Sequence, residues 1–415
     1  MPDGLSRRTR IALIAALCIG YVASQFYRTA NAAIAPELMR ELSISPESMG
    51  AVTGVFFLMF AVMQIPAGVL LDRFGPRRVM SGLLLLAVAG SLVFAVADGA
   101  PGLGLGRGLM GAGCAAGLMG SMVVFARWFP QRYFATLAAV IFSVGGIGNL
   151  MATTPLALAS QAIGWRGAFV GMAAITVGMA AVLFLVLRDA PPGHPVSLRA
   201  PESPRQILAG LGQVLRDRRI WYISAMQAVA YPILMTISAL WAGPYLDEVY
   251  GLDPIQRGNV LLALNVAMIL GVLAYGPLDR LFDTRKWVVA AGTAVTIVVL
   301  AVLAAVPQWP LWQIIALLVV FMGLGGYQMI LHAHTRAILP DHLVGRGLTV
   351  QNTAAFVGVF AMQWASGYII GAFRDAADPA LPYRVVFAFL GAATLVALLV
   401  YLRIEDAPPS AIEAG

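Results

Sequence analysis

Apolar residues run through the chain in long stretches that short polar segments separate. A helix needs about 20 such residues to cross a hydrocarbon core of roughly 30 Å, and twelve stretches reach that length. The pattern therefore predicts an all-α integral membrane protein with twelve transmembrane helices in two six-helix halves. The predicted spans, numbered 1 to 12 in chain order, are 10–38, 47–72, 79–98, 102–128, 132–161, 165–187, 220–246, 257–281, 286–306, 310–337, 344–373 and 384–403.

The longest polar break lies between spans 6 and 7 and is rich in proline and charge, a composition typical of a linker. We therefore expect an N-terminal half over 1–187, a cytoplasmic linker over 188–219 and a C-terminal half over 220–415. Within the linker we expect a short surface helix from about Pro204 to Leu215.

Composition agrees with a membrane protein, because only 11% of the residues are charged, against about 25% in soluble domains. The net charge of +7 does not indicate nucleic acid, since the basic residues are scattered among loops and not clustered on one face. The two cysteines lie in apolar stretches without metal-ligating neighbours. We expect no metal and no cofactor.

Basic residues also predict the orientation of the chain. With both termini inside, 20 basic residues lie on the cytoplasmic side and five on the outer side, as the positive-inside rule requires. This distribution predicts a multi-pass protein with both termini in the cytoplasm, and the location that we expect is the bacterial inner membrane. The five outer residues are Arg40, Arg166, Arg257, Arg374 and Arg384.

A charged loop with two helix breakers connects spans 2 and 3. Its spacing, Gly-x-x-x-Asp-Arg-x-Gly-x-Arg-Arg, resembles the loop between helices 2 and 3 of the major facilitator superfamily of transporters. The resemblance implies the major facilitator fold, a monomer, and transport by alternating access. The positions that carry this motif, together with a basic residue at the end of span 4, are Gly68, Asp72, Arg73, Gly75, Arg77, Arg78 and Arg127.

The same resemblance implies a gate and an internal repeat. Asp72 is expected to pair with Arg127 and with the N-terminus of span 11 when the cytoplasmic side is shut. Asp279, with Arg285 and Lys286 after it, repeats the loop at an offset of 207 residues, 279 minus 72. Two parallel six-helix repeats are implied, with the substrate near the midplane between them.

Two arginines fall within predicted spans, Arg28 in span 1 and Arg107 in span 4. An ion in lipid costs several kcal/mol, so each is a functional hypothesis by default, unless it snorkels to the surface. Every acidic residue lies in a loop, a tail or the end of a span, which leaves no carboxylate at mid-membrane. Because a guanidinium binds carboxylate or phosphate through a planar fork, the two arginines predict an anionic substrate.

Other polar side chains within spans are candidates for lining the substrate cavity. Each of them has an alternative role as a hydrogen bond between helices. A histidine in span 10 is also a candidate proton carrier, because its side chain titrates near neutral pH, although it too has the alternative of a local hydrogen bond. The candidates are Asn149, Gln227, Tyr231, Gln328 and His332.

Five segments of the chain together resemble the anion:cation symporter family, which carries organic anions such as sugar acids. The resemblance is close in the N-terminal half and general in the C-terminal half, and it implies that Arg28 and Arg107 bind substrate. The segments are Tyr27 to Leu38, Gln64 to Gly68, Arg107 to Gly113, Trp128 to Pro130 and Gly164 to Arg166.

The chain departs from this family at two positions. Proton-coupled members have an acidic residue before the first arginine and a glutamate seven places after the second, where this chain has Tyr27 and Cys114. The coupling ion, proton or sodium, is therefore left open.

The sequence favours a secondary transporter that takes up a small organic anion of the carboxylate type. The alternative in the same fold is an exporter of drugs, siderophores or other metabolites, for which a mid-membrane acidic residue and a glycine-proline pattern in span 5 are typical. A membrane enzyme needs a catalytic constellation, and none is evident. We therefore expect a transporter and not an enzyme or a receptor.

Overall fold

A computed structural model of the chain describes residues 7–130, 133–189, 212–307 and 309–410. Ten helices in these ranges are long and apolar enough to cross a membrane. Two of the ten, Pro46–Ala95 and Thr136–Val186, have 50 and 51 residues, enough for two crossings each. Counting each of these as two gives twelve spans and confirms the predicted all-α membrane fold.

In the first half of the chain the helices follow the predicted spans 1 to 6 within a few residues. Their bounds are Arg7–Thr29, Asn31–Glu41, Pro46–Ala95, Ala100–Cys114, Gly117–Trp128, Phe134–Met151 and Thr154–Val186.

In the second half the helices follow spans 7 to 12, with a π-helical turn at Ile237–Trp241 and a 3-10 turn at Gly325–Tyr327. The α-helices are Arg218–Thr236, Ala242–Glu248, Pro254–Tyr275, Leu278–Leu281, Lys286–Ala305, Leu311–Leu324, Gln328–Ile338, Asp341–Ala372 and Leu381–Tyr401.

Glycines separate the two spans within each long helix. Gly75 has φ 79° and ψ 157°, and Gly164 has φ 73° and ψ 159°. A side chain with a Cβ rarely adopts this region. These two residues therefore allow the chain to turn between spans 2 and 3 and between spans 5 and 6 almost without a loop.

Several spans that the sequence predicts as continuous are interrupted. Span 1 breaks at Ala30, span 4 at Ala115 and Ala116, and span 5 between Met151 and Thr154, while the π-helical and 3-10 turns interrupt spans 7 and 10. Ala30, Ala115 and Ala116 are buried. Irregular backbone at membrane depth is tolerated where protein covers it, so these breaks mark positions inside the helix packing.

The chain divides into two compact units. One contains residues Met1–Ile34 and Val55–Glu202, and the other contains Ala35–Gly54 and Ser203–Gly415. The predicted halves and linker stay a prediction. Most of the linker and of its surface helix falls at 190–211, outside the described residues, as do the basic residues Arg132, Arg199 and Arg205.

A buried ion cluster holds the outer end of span 1 within the second unit. Arg257, which the sequence places at the outer end of span 8, is fully buried between Glu37 and Asp247. Its Nη1 lies 3.0 Å from an Asp247 carboxylate oxygen. The exposed side chain of Arg40 adds a 2.8 Å ion pair to Asp247. Two carboxylates thus offset the cost of burying one guanidinium.

We expect Gly164→Ala to destabilise the protein by about 1–3 kcal/mol through backbone strain alone, because open space surrounds the position of the new Cβ. Gly75→Ala should cost more, since its Cβ would also lie 2.4 Å from the Asp189 carboxyl group. Thermal unfolding of the purified protein in detergent measures both effects.

The matched control is Gly171→Ala, in a helix and also surrounded by open space. Its melting temperature should be unchanged or slightly raised, because alanine favours a helix over glycine by roughly 0.5–1 kcal/mol. Equal melting temperatures for the Gly164 and Gly171 variants would contradict the assigned strain.

Candidate functional site

Arg107 is fully buried in the helix Ala100–Cys114. Its Nη1 donates a 2.5 Å hydrogen bond to the carbonyl oxygen of Tyr27 in span 1. Its guanidinium carbon lies 4.6 Å from the ring centroid of Phe56 in span 2. The Nε and Nη2 atoms are buried without a hydrogen-bond partner among the described residues. The edge of the guanidinium that carries Nε and Nη2 therefore makes no hydrogen bond to the described residues.

Arg28 lies close to Arg107 along the same face of span 2. Its side chain is 8% exposed, and its guanidinium carbon is 5.0 Å from the ring centroid of Phe60. Phe56 and Phe60 are one helical turn apart, and their rings stack at 6.4 Å with an interplanar angle of 21°. Two neighbouring aromatic rings thus support the two predicted anion-binding arginines, and neither arginine snorkels into water.

The acidic residues described in this unit lie far from mid-membrane. They are Asp72, Asp98 and Asp189, each at the end of a span. None of them forms an ion pair with Arg107 in the described part of the chain. No described carboxylate of this unit therefore neutralises the positive charge of Arg107, although a buried ion needs a counter-charge.

Asn149 lies beside the turn of span 1 that carries Arg28. Its Oδ1 accepts a 3.4 Å hydrogen bond from the hydroxyl of Thr29. The preceding Gly148 allows this approach, because a Cβ there would lie 2.2 Å from the carbonyl oxygen of Val22. The structure therefore places Asn149 in contact with the residue that follows Arg28.

Tyr27 and Cys114 occupy the two positions where the sequence departs from the proton-coupled family. The hydroxyl of Tyr27 is 3.0 Å from the hydroxyl of Thr176 in span 6. Cys114 is buried, and its carbonyl oxygen accepts a hydrogen bond from the hydroxyl of Ser24. Both residues are thus part of the helix packing.

The predicted residues of the second unit belong to polar contacts of their own. Gln227 accepts a 3.4 Å hydrogen bond from Gln351, whose amide oxygen accepts from Thr335 at 2.9 Å. Tyr231 packs edge-on against Phe356, with ring centroids 5.8 Å apart. Sequence reasoning missed Gln351, although a glutamine inside span 11 was a signal for it.

Span 10 places its two histidines in different surroundings. The Nδ1 atom of His332 is 3.3 Å from the carbonyl oxygen of Gln328, which is one helical turn earlier. His334 is buried between the hydroxyl of Tyr401, at 2.8 Å, and the carbonyl of Glu405, at 3.2 Å. His334 therefore joins spans 10 and 12. Substrate contacts for Gln227, Tyr231, Gln328 and His332 stay predictions.

Asp189, at the end of span 6, holds the loop between spans 2 and 3. Its carboxylate accepts a 2.9 Å hydrogen bond from the backbone N–H of Arg77. The same carboxylate packs against Gly75, in the space that a Cβ of that residue would need. Arg127 donates to the carbonyl oxygen of Asp189 at 3.3 Å. The sequence placed Asp189 in the linker and missed this role.

The predicted ion pair between Asp72 and Arg127 is absent from the described residues of this structure, where Asp72 is exposed. A gating role for Asp72 stays a prediction. A Cβ added at Gly68 would lie 3.5 Å from the sulfur of Met119. Arg73 lies over the ring of Phe74, and Arg78 is exposed.

The second unit repeats this arrangement at the end of span 12. The Asp406 carboxylate accepts from the hydroxyl of Thr284 and from the backbone N–H groups of Arg285 and Lys286. Burial by itself would raise the pKa of Asp406, but these hydrogen bonds lower it below its usual value. Asp406 thus corresponds to Asp189, at an offset of 217 residues, 406 minus 189.

Comparison with known proteins identifies the family. The sequence profile of the Major Facilitator Superfamily matches residues 17–362 and 235–415. The chain belongs to this superfamily. It is therefore a multi-pass membrane transporter and not an enzyme, as the loop motif predicted.

Individual relatives are distant but consistent with that assignment. The hexuronate transporter of Escherichia coli K12 is 26% identical over 309 residues, which cover 69% of this chain and 70% of that protein. A probable sulfoacetate transporter of Cupriavidus necator is 22% identical over 285 residues, 66% of each chain.

A solved structure shows the same fold. A bacterial homologue of the human lysosomal transporter Spinster, in an inward-facing and occupied conformation, has a TM-score of 0.77 at 17% identity. The match covers 96% of this chain and 97% of that one. At this identity the likeness concerns the major facilitator fold alone.

We expect Asp189→Ala to destabilise this transporter by about 1–3 kcal/mol, because the partly buried N–H of Arg77 loses its charged acceptor. The matched control, Asp72→Ala, should change stability by no more than about 0.5 kcal/mol, since Asp72 is exposed. Melting temperatures in detergent compare the two variants. Equal losses would show that Asp189 does not hold the loop.

Proposed function

We propose that this protein is a secondary active transporter that takes up a small organic anion of the carboxylate type across the bacterial inner membrane. The observation that carries the proposal is the fully buried guanidinium of Arg107, whose Nε and Nη2 have no hydrogen-bond partner among the described residues. Arg28 adds a second positive charge on the same face of span 2.

Chemistry supports an organic anion as the substrate. A guanidinium taken out of water is stabilised most by an anion that both neutralises its charge and accepts hydrogen bonds from its unpaired N–H groups. The names of the two relatives, a hexuronate transporter and a probable sulfoacetate transporter, both describe anionic substrates. In this proposal Asn149, which contacts Thr29 next to Arg28, supplies an amide group for a hydroxyl of such a substrate.

The transporter works by alternating access, as a monomer, with both termini in the cytoplasm. In this proposal the loop between spans 2 and 3 contributes to the cytoplasmic gate through Asp72 and Arg127. The twenty basic residues on the predicted cytoplasmic side support the orientation. A proton or sodium gradient drives uptake.

A thermal-shift screen against organic anions, with neutral and cationic compounds as controls, tests the proposal. A ligand at 100 times its Kd should stabilise the protein by about 2.7 kcal/mol. We expect the transported carboxylate to raise the melting temperature of the parent. Arg28→Gln and Arg107→Gln should abolish the response.

The control variant is Arg403→Gln, which removes one exposed arginine outside the site and should respond as the parent does. Stabilisation by neutral or cationic compounds, equal in parent and variants, would overturn the anion proposal and favour the exporter.

His332 is the candidate proton carrier in this proposal. In proteoliposomes we expect His332→Gln to lose uptake driven by a pH gradient while it keeps anion binding and substrate exchange, because neither requires a net proton transfer. Full pH-driven uptake by the variant would remove His332 from the mechanism, and uptake that follows sodium alone would make sodium the coupling ion.

A further inference from the structure

The ring of Phe56 is held in a fixed place beneath Arg107. Phe56 is fully buried, and the edge-on ring of Phe57 lies 5.3 Å away at 73°. Phe56 also stacks with the ring of Phe60. Close packing of this kind leaves a core side chain few alternative rotamers, so the ring provides a rigid surface.

Spans 2 and 4 touch at this point because of one glycine. Gly111 is four residues after Arg107 and therefore lies on the same face of span 4. A Cβ at Gly111 would lie 2.1 Å from the carbonyl oxygen of Phe56. The absence of that Cβ brings the two backbones together and places the guanidinium of Arg107 over the ring.

Two contacts then fix the orientation of the Arg107 guanidinium. The Phe56 ring attracts its face electrostatically without using any N–H donor. The carbonyl oxygen of Tyr27 accepts a hydrogen bond from Nη1. The Nε and Nη2 atoms remain, and they form the edge of an arginine that carries two parallel N–H donors.

We propose that Phe56 is a positioning residue that presents the Nε–Nη2 edge of Arg107 to two coplanar oxygens of the substrate, bound side-on. The inference rests on the proposed function, because it assumes an organic anion at Arg107. It adds a selectivity: the site takes an oxyanion with two oxygens at the spacing of a carboxylate or sulfonate. A spherical anion such as chloride interacts with the positive charge but cannot accept both N–H groups side by side, so it binds more weakly.

The test changes the electrostatics of the ring without changing its shape. Phe56 is replaced by phenylalanines of increasing fluorination, which weakens the negative face of the ring, and the matched control is the same series at Phe57, also fully buried. Titration calorimetry on the full chain in detergent measures binding of glucuronate and of sulfoacetate, with chloride as the spherical anion.

We expect the affinity for the oxyanion to fall stepwise with fluorination at Phe56, by about 3-fold to 30-fold over the series. No trend is expected at Phe57. Arg107→Lys, which keeps the charge and loses the fork, should bind glucuronate and sulfoacetate more weakly by at least about tenfold and remove their advantage over chloride.

Equal affinities across the Phe56 series would overturn the positioning role while leaving the anion site in place. Equal trends at Phe56 and Phe57 would assign the effect to packing and would also overturn it. A parent that binds no oxyanion more tightly than chloride would overturn both this inference and the proposed function.

Discussion

The cost of taking a guanidinium ion out of water shapes both units of this transporter. Arg257 and Arg107 are both fully buried, yet their surroundings differ. Arg257 lies between the carboxylates of Glu37 and Asp247, so its charge is neutralised within the protein and its role is structural. Arg107 has an aromatic ring and a carbonyl oxygen instead. Two equally buried arginines thus differ in whether a described carboxylate neutralises them.

Backbone irregularity follows from the same solvent argument. An unpaired N–H or C=O group is costly in lipid, and the interruptions of spans 1 and 4 lie at buried residues, directly after the turns that carry Arg28 and Cys114. Glycine contributes through its small size, since the missing Cβ of Gly111 and of Gly148 lets neighbouring helices pack closely at the candidate site. The site therefore depends on backbone contacts as much as on charged side chains.

Much of the fold and part of the candidate site could be predicted from the sequence. Hydrophobic length predicted the twelve spans, and the absence of acidic residues from mid-membrane singled out Arg28 and Arg107. Phe56 and Phe60 were not predicted, because an aromatic pair in an apolar span has no local signal that separates lipid contact from contact with an arginine. Asp189 was missed because a carboxylate at the end of a span usually faces water, and only packing against Gly75 revealed its role.

The sequence by itself determined which segments enter the membrane and which charges enter with them, because the cost of burying polar groups acts on each segment separately. The tertiary structure decided what those charges contact. Glu37 and Arg257 are 220 residues apart in the chain, and Tyr27 and Arg107 are 80 apart. Contacts at such distances depend on helix packing, which no local pattern encodes. Packing alone therefore separated the arginine that pairs with two carboxylates from the one that pairs with none among the described residues.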